Sequence, residues 1–107
     1  MGLNTRYYSK RQESDIAKKF NGKRTANSGA TPFYKGDVVL KDWLIEAKTK
    51  VSPSQSISVK KEWIDKNAEE AFAMGKHHSA VAINFGPGEE NYYIISEKEF
   101  ERLVAML

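Results

Sequence analysis

Acidic and basic side chains lie close together between residues 36 and 48, in a segment that otherwise has the composition of two short β-strands. Side chains two positions apart on a strand point to the same face of the sheet. If residues 43–49 form a strand, Glu46 and Lys48 therefore project together, on the face that they share with Leu44. The opposite face would then carry the apolar side chains of the strand, which are Trp43, Ile45 and Ala47.

A second carboxylate precedes the apolar run Val38–Leu40, which predicts a strand that begins at Asp37. A tight connection around residues 41–42 would pair the two strands antiparallel and bring Asp37 next to Glu46. Two carboxylates about 4 Å apart repel each other by roughly 4 kcal/mol at an effective dielectric constant of about 20, so such a pair needs a cation. Oxygen ligands of this kind suit Mg²⁺ or Mn²⁺. The alternative is that a glutamate and a lysine at this spacing are simply solvated on an exposed strand.

The first helix is predicted over residues 10–20, because Asn21 and the glycine after it form a natural helix end. On this helix Glu13 falls on the same stripe as the apolar side chains of Ile16, Ala17 and Phe20. A carboxylate in line with core residues is costly to bury unless it meets a cation or a hydrogen-bond donor. Glu13 is therefore predicted as a third acidic member of the site, the alternative being a position on the solvated edge of the helix.

Composition favours one small globular domain over residues 1–107, with 40% hydrophobic residues. The absence of cysteine, of a membrane-spanning apolar run and of a signal-peptide pattern predicts a cytoplasmic protein without disulfides, in the host cytoplasm if a phage encodes it. Charge is uneven: residues 1–30 carry seven Lys or Arg against two Asp or Glu, whereas residues 51–107 carry six against nine. A basic N-terminal region suits a phosphate-rich partner, although a solvated basic terminus is the alternative.

The polar, glycine-containing segment over residues 22–32 predicts a loop, in which Arg24 and Ser28 are suitable phosphate ligands; a flexible connector is the alternative. The adjacent histidines at 77 and 78 lack further metal ligands and are not expected to be catalytic. Core or subunit contacts are favoured over base stacking for the aromatic residues Trp43, Trp63, Tyr92 and Tyr93.

The remaining sequence predicts a helix over residues 59–74, a β-hairpin over residues 79–95, and a closing helix that begins with the capping box Ser96–Glu99. The stripe expected on the first of these helices consists of Ile64, Ala68, Ala71 and Phe72. The stripe expected on the closing helix consists of Phe100, Leu103, Val104 and Leu107.

Over about residues 9–95, these elements and motifs resemble the PD-(D/E)xK nuclease superfamily and, more narrowly, its small archaeal and phage Holliday junction resolvases. The resemblance depends on Glu13, Ser28-Gly29, Gly36-Asp37 and Glu46-Ala47-Lys48-Thr49. Gly36 departs from the pattern, since many members have a proline there. The resemblance implies an α/β fold with a restriction-endonuclease-like αβββαβ core, in which helices flank a central mixed sheet.

For the chemistry, the resemblance implies Mg²⁺-dependent hydrolysis of DNA phosphodiesters, with Mn²⁺ as a substitute, leaving 5′-phosphate and 3′-hydroxyl ends. The implied catalytic residues are Glu13, Asp37, Glu46 and Lys48. The metal would be held by Asp37, Glu46, the main-chain carbonyl of Ala47 and, through water, Glu13. Lys48 would orient the attacking water or offset charge on the phosphate. Nucleic-acid contacts are expected from Lys10, Arg11, Arg24, Ser28, Lys50 and Lys60.

The implied partner is branched DNA such as a four-way junction. Because a resolvase must nick two strands symmetrically, a homodimer is expected, with the Tyr92-Tyr93 hairpin and the Trp63 helix as candidate interfaces. Two alternatives remain open. One is a nickase, restriction-type or repair nuclease that acts on linear, flapped or forked DNA. The other is a non-catalytic DNA-binding module.

Overall fold

The computed structural model describes residues 5–25 and 37–107. Its elements are α1 (Thr5–Phe20), β1 (Lys23–Arg24), β2 (Val38–Val39), β3 (Trp43–Thr49), α2 (Lys61–Ala73), β4 (His78–Asn84), β5 (Asn91–Ile94) and α3 (Glu97–Ala105). The protein is therefore α/β, with a five-stranded mixed sheet flanked by helices, as predicted. The expectations for Ser28, Gly29 and Gly36 concern residues outside the described ranges.

The strands follow one another across the sheet in the order β1-β2-β3-β4-β5. Neighbouring strands are antiparallel except for β3 and β4, which are parallel and are connected through α2. The predicted pairing of β2 with β3 is confirmed, with Val38 opposite Ile45. This register places Asp37, the residue before β2, beside the segment of β3 that carries Glu46 and Lys48.

Helices cover both faces of β3. On the α1 side, Ile45 and Ala47 belong to a buried apolar cluster with Ile16 and with residues of β2 and β4. Period two then directs Leu44 and Glu46 to the α2 side of the sheet. Leu44 is fully buried there. The predicted division of β3 into an apolar face and a charged face is confirmed, with the charge confined to the C-terminal half of the strand.

The bounds of the first helix and the first strand differ from the predictions. Helix α1 begins at Thr5, five residues before the predicted start, and ends as expected where Asn21 adopts a φ of 56°. Within the segment predicted as a loop, β1 pairs with β2. A Cβ atom on Gly22 would lie 2.7 Å from the backbone carbonyl oxygen of Val39, so glycine is needed for this close passage between α1 and β1.

Helix α2 presents only part of the predicted stripe to the sheet: Ala71 is buried as predicted, but Ala68 and Phe72 are not. Asn67 and Ala71 are buried, whereas Ala68 is exposed and Phe72 is 85% exposed. The apolar pattern missed this orientation because the central inward residue is polar. Asn67 Nδ2 donates to the backbone carbonyls of Leu44 at 3.1 Å and Ala80 at 3.2 Å, which offsets the cost of burying the amide nitrogen.

Helix α3 starts as predicted, since Ser96 Oγ accepts a hydrogen bond from the Glu99 N–H at 3.0 Å. The predicted inward stripe is wrong, because Phe100 is 58% exposed and Val104 is 49% exposed. Glu99 is buried instead, where its carboxylate binds the His78 ring and faces the Ser79 N–H. Within residues 5–25 and 37–107, no helix combines the length and apolar character needed to cross a membrane.

Candidate active site

An open cleft of about 430 Å³ lies beside the C-terminal half of β3. Helix α1 contributes Ser9 and Glu13, and Asp37 enters from the start of β2. The remaining wall includes consecutive residues of β3 and its extension together with one aromatic residue of α2; these are Glu46, Ala47, Lys48, Thr49, Lys50 and Trp63. The structure thus brings together all four residues predicted as catalytic.

Asp37 is held against β3 by its backbone and its side chain. Its N–H donates to the Ile45 carbonyl at 3.0 Å, and its Oδ2 accepts the Ala47 N–H at 2.8 Å. The N–H and C=O of one strand residue point to the same neighbour. The Ala47 carbonyl therefore faces the same side as the Asp37 carboxylate, where it is available as the predicted third oxygen ligand.

The carboxyl groups of Asp37 and Glu46 perturb each other. Burial, together with the charge of Asp37, raises the pKa of Glu46 to about 7, and Lys48 only partly opposes this. Burial also raises the pKa of Asp37, against the effects of the Ala47 N–H, of Lys48 and of a hydrogen bond with the Glu46 side chain. Two carboxylates whose ionisation is mutually unfavourable mark a position where a cation is favoured.

Glu13 faces the cleft from α1 and forms an ion pair with Arg24. Its Oε1 lies 3.2 Å from Arg24 Nε, which links α1 to β1. Burial and the Asp37 charge raise the pKa of Glu13, while Arg24 lowers it. Glu13 is therefore close enough to Asp37 to belong to the acidic group, with one of its oxygens bound by a guanidinium.

Lys48 is oriented by two contacts on the α2 side of the sheet. Its Nζ lies 3.3 Å from Glu46 Oε2 and 4.8 Å from the centroid of the Trp63 ring. A cation over an aromatic face is attracted to it, so the ring helps to hold the ammonium at the cleft. Trp63 was predicted to contact the core or a subunit; its sequence position gave no sign that it would line the cleft.

Gln12 is a further residue of the site that sequence reasoning missed. It is 5% exposed, and its Nε2 donates to the Lys48 carbonyl at 3.0 Å, to Asn91 Oδ1 at 3.0 Å and to the Ala82 carbonyl at 3.4 Å. These bonds hold α1 on the sheet one residue before Glu13. No periodic pattern predicts them, because the partners lie far away along the chain.

Of the described residues predicted to contact nucleic acid, one lines the cleft and a second binds a residue that lines it. Lys50 lines the cleft, and Arg24 forms an ion pair with Glu13, which also lines the cleft. Lys10 and Arg11 are exposed on α1, and Lys60 is exposed immediately before α2. The two histidines, His77 and His78, do not line the cleft. The His78 ring stacks on the Trp43 ring, with 4.7 Å between the ring centroids.

The donor set suits a hard divalent cation that retains water. Over residues 5–25 and 37–107, no three His, Cys, Asp or Glu side chains form a ready-made metal site. Mg²⁺ commonly uses one or two carboxylates and completes its shell with water and substrate phosphate. Asp37 and Glu46, with the Ala47 carbonyl beside them, fit this requirement.

No protein-family model, curated protein or solved structure matches the chain. Its function is therefore inferred from the chemistry of the cleft.

Proposed function

We propose that the protein is a Mg²⁺-dependent endonuclease of the PD-(D/E)xK superfamily that hydrolyses DNA phosphodiesters. The observation that carries this proposal is the meeting of Asp37, Glu46 and Lys48 in one open cleft. Two partly buried carboxylates with raised pKa values are unfavourable without a cation, and an adjacent lysine suits a reaction at a phosphate.

Asp37, Glu46 and the Ala47 carbonyl would hold the metal ion, with Glu13 contributing through water. Bound there, Mg²⁺ would polarise the scissile phosphate and lower the pKa of a water molecule. The Ala47 N–H keeps the Asp37 carboxylate turned toward the cleft in advance of metal binding.

The remaining residues position the phosphate and its attacking water. Lys48 Nζ, held by Glu46 and the Trp63 ring, is placed to orient the water or to offset charge that develops on the phosphate oxygens. Lys50 on the same wall is available for a neighbouring phosphate. Arg24 serves the same purpose once its pairing with Glu13 is exchanged for a DNA contact.

The order of elements from α1 to β4 agrees with the αβββαβ core that the resemblance implies, which supports the superfamily assignment. Within the superfamily, we favour a Holliday junction resolvase acting as a homodimer on four-way junctions. Tyr92 and Tyr93 on the edge strand β5 are 51% and 40% exposed and suit a subunit contact. Trp63 suits it less, because it lines the cleft.

Metal-dependent cleavage tests the proposal. A labelled four-way junction and a linear duplex of the same sequence are incubated with Mg²⁺, with Mn²⁺ and with EDTA. We expect junction cleavage with either metal, no cleavage in EDTA, and loss of cleavage in Glu46→Gln but not in the exposed control Glu101→Gln. Equal cutting of both substrates would favour a nickase, restriction-type or repair nuclease. Metal-independent binding without any cleavage would favour a non-catalytic DNA-binding module.

A further inference from the structure

A second cleft, of about 230 Å³, adjoins the first. It lies between α1 and the turn that joins β4 to β5, and Thr49 lines both clefts. Thr49 and Asn84 are the last residues of the parallel strands β3 and β4. In α/β proteins, ligands bind preferentially at the carboxyl ends of parallel strands. A group seated here would lie next to the phosphate bound in the first cleft.

Gln12, which lines this second cleft, has a hydrogen-bond acceptor without a partner among the described residues. The Gln12 amide is oriented unambiguously, because its nitrogen faces the carbonyl oxygens of Lys48 and Ala82. Its Oε1 is buried and has no hydrogen-bond partner within the described residues. A buried acceptor in this condition costs free energy, which an N–H donor that reaches it from the cleft would recover.

The charges around the second cleft oppose an anionic ligand. Asp15 and Glu89 line it against a single cation, Arg11. Carboxylates accept hydrogen bonds and repel phosphate, so a neutral group rich in donors is favoured over a second phosphate. Tyr8 supplies an aromatic side chain in the same lining. An aromatic ring combined with acceptors is the arrangement by which proteins hold an unpaired nucleobase.

We propose that this cleft, which we call the base pocket, receives an unpaired nucleobase adjacent to the scissile phosphate. The proposal rests on the proposed function for its DNA substrate and adds that one nucleotide at the branch point, beside the cut, is unpaired when the junction is bound. The acceptors of Gln12 and Asp15 match the exocyclic amines of cytosine and adenine, which thymine lacks. The base pocket therefore favours cytosine and adenine over thymine.

Binding without cleavage tests the base pocket separately from the nuclease activity. Three fluorescent duplexes of otherwise identical sequence are compared in EDTA: one fully paired, one with a single bulged cytosine and one with a single bulged thymine. We expect the wild-type chain to bind the cytosine bulge most tightly. Tyr8→Leu should lower the preference for the bulge over the paired duplex about tenfold, because stacking on the ring is lost. Phe72→Leu, at an aromatic residue of α2 that is 85% exposed and lies outside the base pocket, should leave the preference unchanged.

Asp15→Asn tests the acceptor side of the pocket, with Glu90→Gln as a control of equal charge change. Asp15→Asn should reduce the ratio of cytosine-bulge to thymine-bulge affinity, and Glu90→Gln should not. Thermal unfolding of each variant verifies that it is folded. An unchanged bulge preference in Tyr8→Leu, or no measurable binding of any probe, would overturn the base pocket. If the bulge preference depends on Tyr8 but the protein never cleaves DNA, the base pocket is supported and only the proposed nuclease activity is refuted.

Discussion

Asp37 and Ala47 are joined by a hydrogen bond of 2.8 Å between the Asp37 carboxylate and the Ala47 N–H. This bond places the acid that precedes β2 beside the one strand that carries both Glu46 and Lys48. Because its donor belongs to the backbone, a variant at position 37 that keeps an oxygen acceptor can preserve the local structure while removing the charge.

Asp37→Asn should therefore abolish cleavage and leave the fold intact. The amide oxygen can still accept the Ala47 N–H, but the neutral side chain is a poor ligand for Mg²⁺. We expect the cleavage rate to fall at least about 100-fold with DNA affinity in EDTA nearly unchanged. Asp42→Asn, at an exposed position outside the cleft, serves as the control. Wild-type turnover in Asp37→Asn would remove Asp37 from the metal site.

Lys48→Met should separate catalysis from binding. Methionine retains an apolar stem against the Trp63 ring and removes the ammonium from the cleft. We expect kcat for DNA cleavage to fall about 100-fold, while DNA affinity changes less than threefold. The same substitution at exposed Lys98 on α3 gives the matched control. If Lys48→Met instead weakened binding in a salt-dependent way with kcat unchanged, Lys48 would be a phosphate contact.

Stability without metal should depend on the ionisation of Glu46. A carboxyl group whose pKa is raised in the folded state, here to about 7, holds its proton more tightly there than in the unfolded chain. The contribution of Glu46 to the free energy of unfolding should therefore be fully present below about pH 4.5 and fall by about 1–3 kcal/mol as pH rises through 7. Urea unfolding in EDTA at pH 5 and pH 8 measures this fall. It should shrink in Glu46→Gln and persist in Glu101→Gln.

Asn67→Leu should destabilise the protein although it places an apolar residue in a buried position. It leaves the carbonyls of Leu44 and Ala80 without the donor they now have. We expect the free energy of unfolding to fall by about 1–3 kcal/mol in urea denaturation. Glu69→Gln, exposed on the same helix, should change it by less than about 0.5 kcal/mol. A stability equal to wild type in Asn67→Leu would mean that these two bonds add nothing to docking of α2.

Local sequence patterns predict the strand residues of the site well. Period two places Glu46 and Lys48 on one face, and the short connection after β2 brings Asp37 beside them. Gln12 and Asn67 could not be predicted in this way, because an amide adds nothing to an apolar stripe. Their role depends on carbonyls of distant strands. The exposure of Phe72 follows from the same cause, since burial of Asn67 fixes which side of α2 meets the sheet.

The three hydrogen bonds of Gln12 also determine when the cleft becomes complete during folding. They reach across 36, 70 and 79 residues of the chain. Contacts of such long sequence separation must overcome the entropy of closing large loops, so we expect them to form late. A nascent chain that ends before β5 lacks Asn91 and with it one of the three partners that hold α1 in place. We therefore expect the catalytic geometry to appear only after β5 has been synthesised and has joined the sheet.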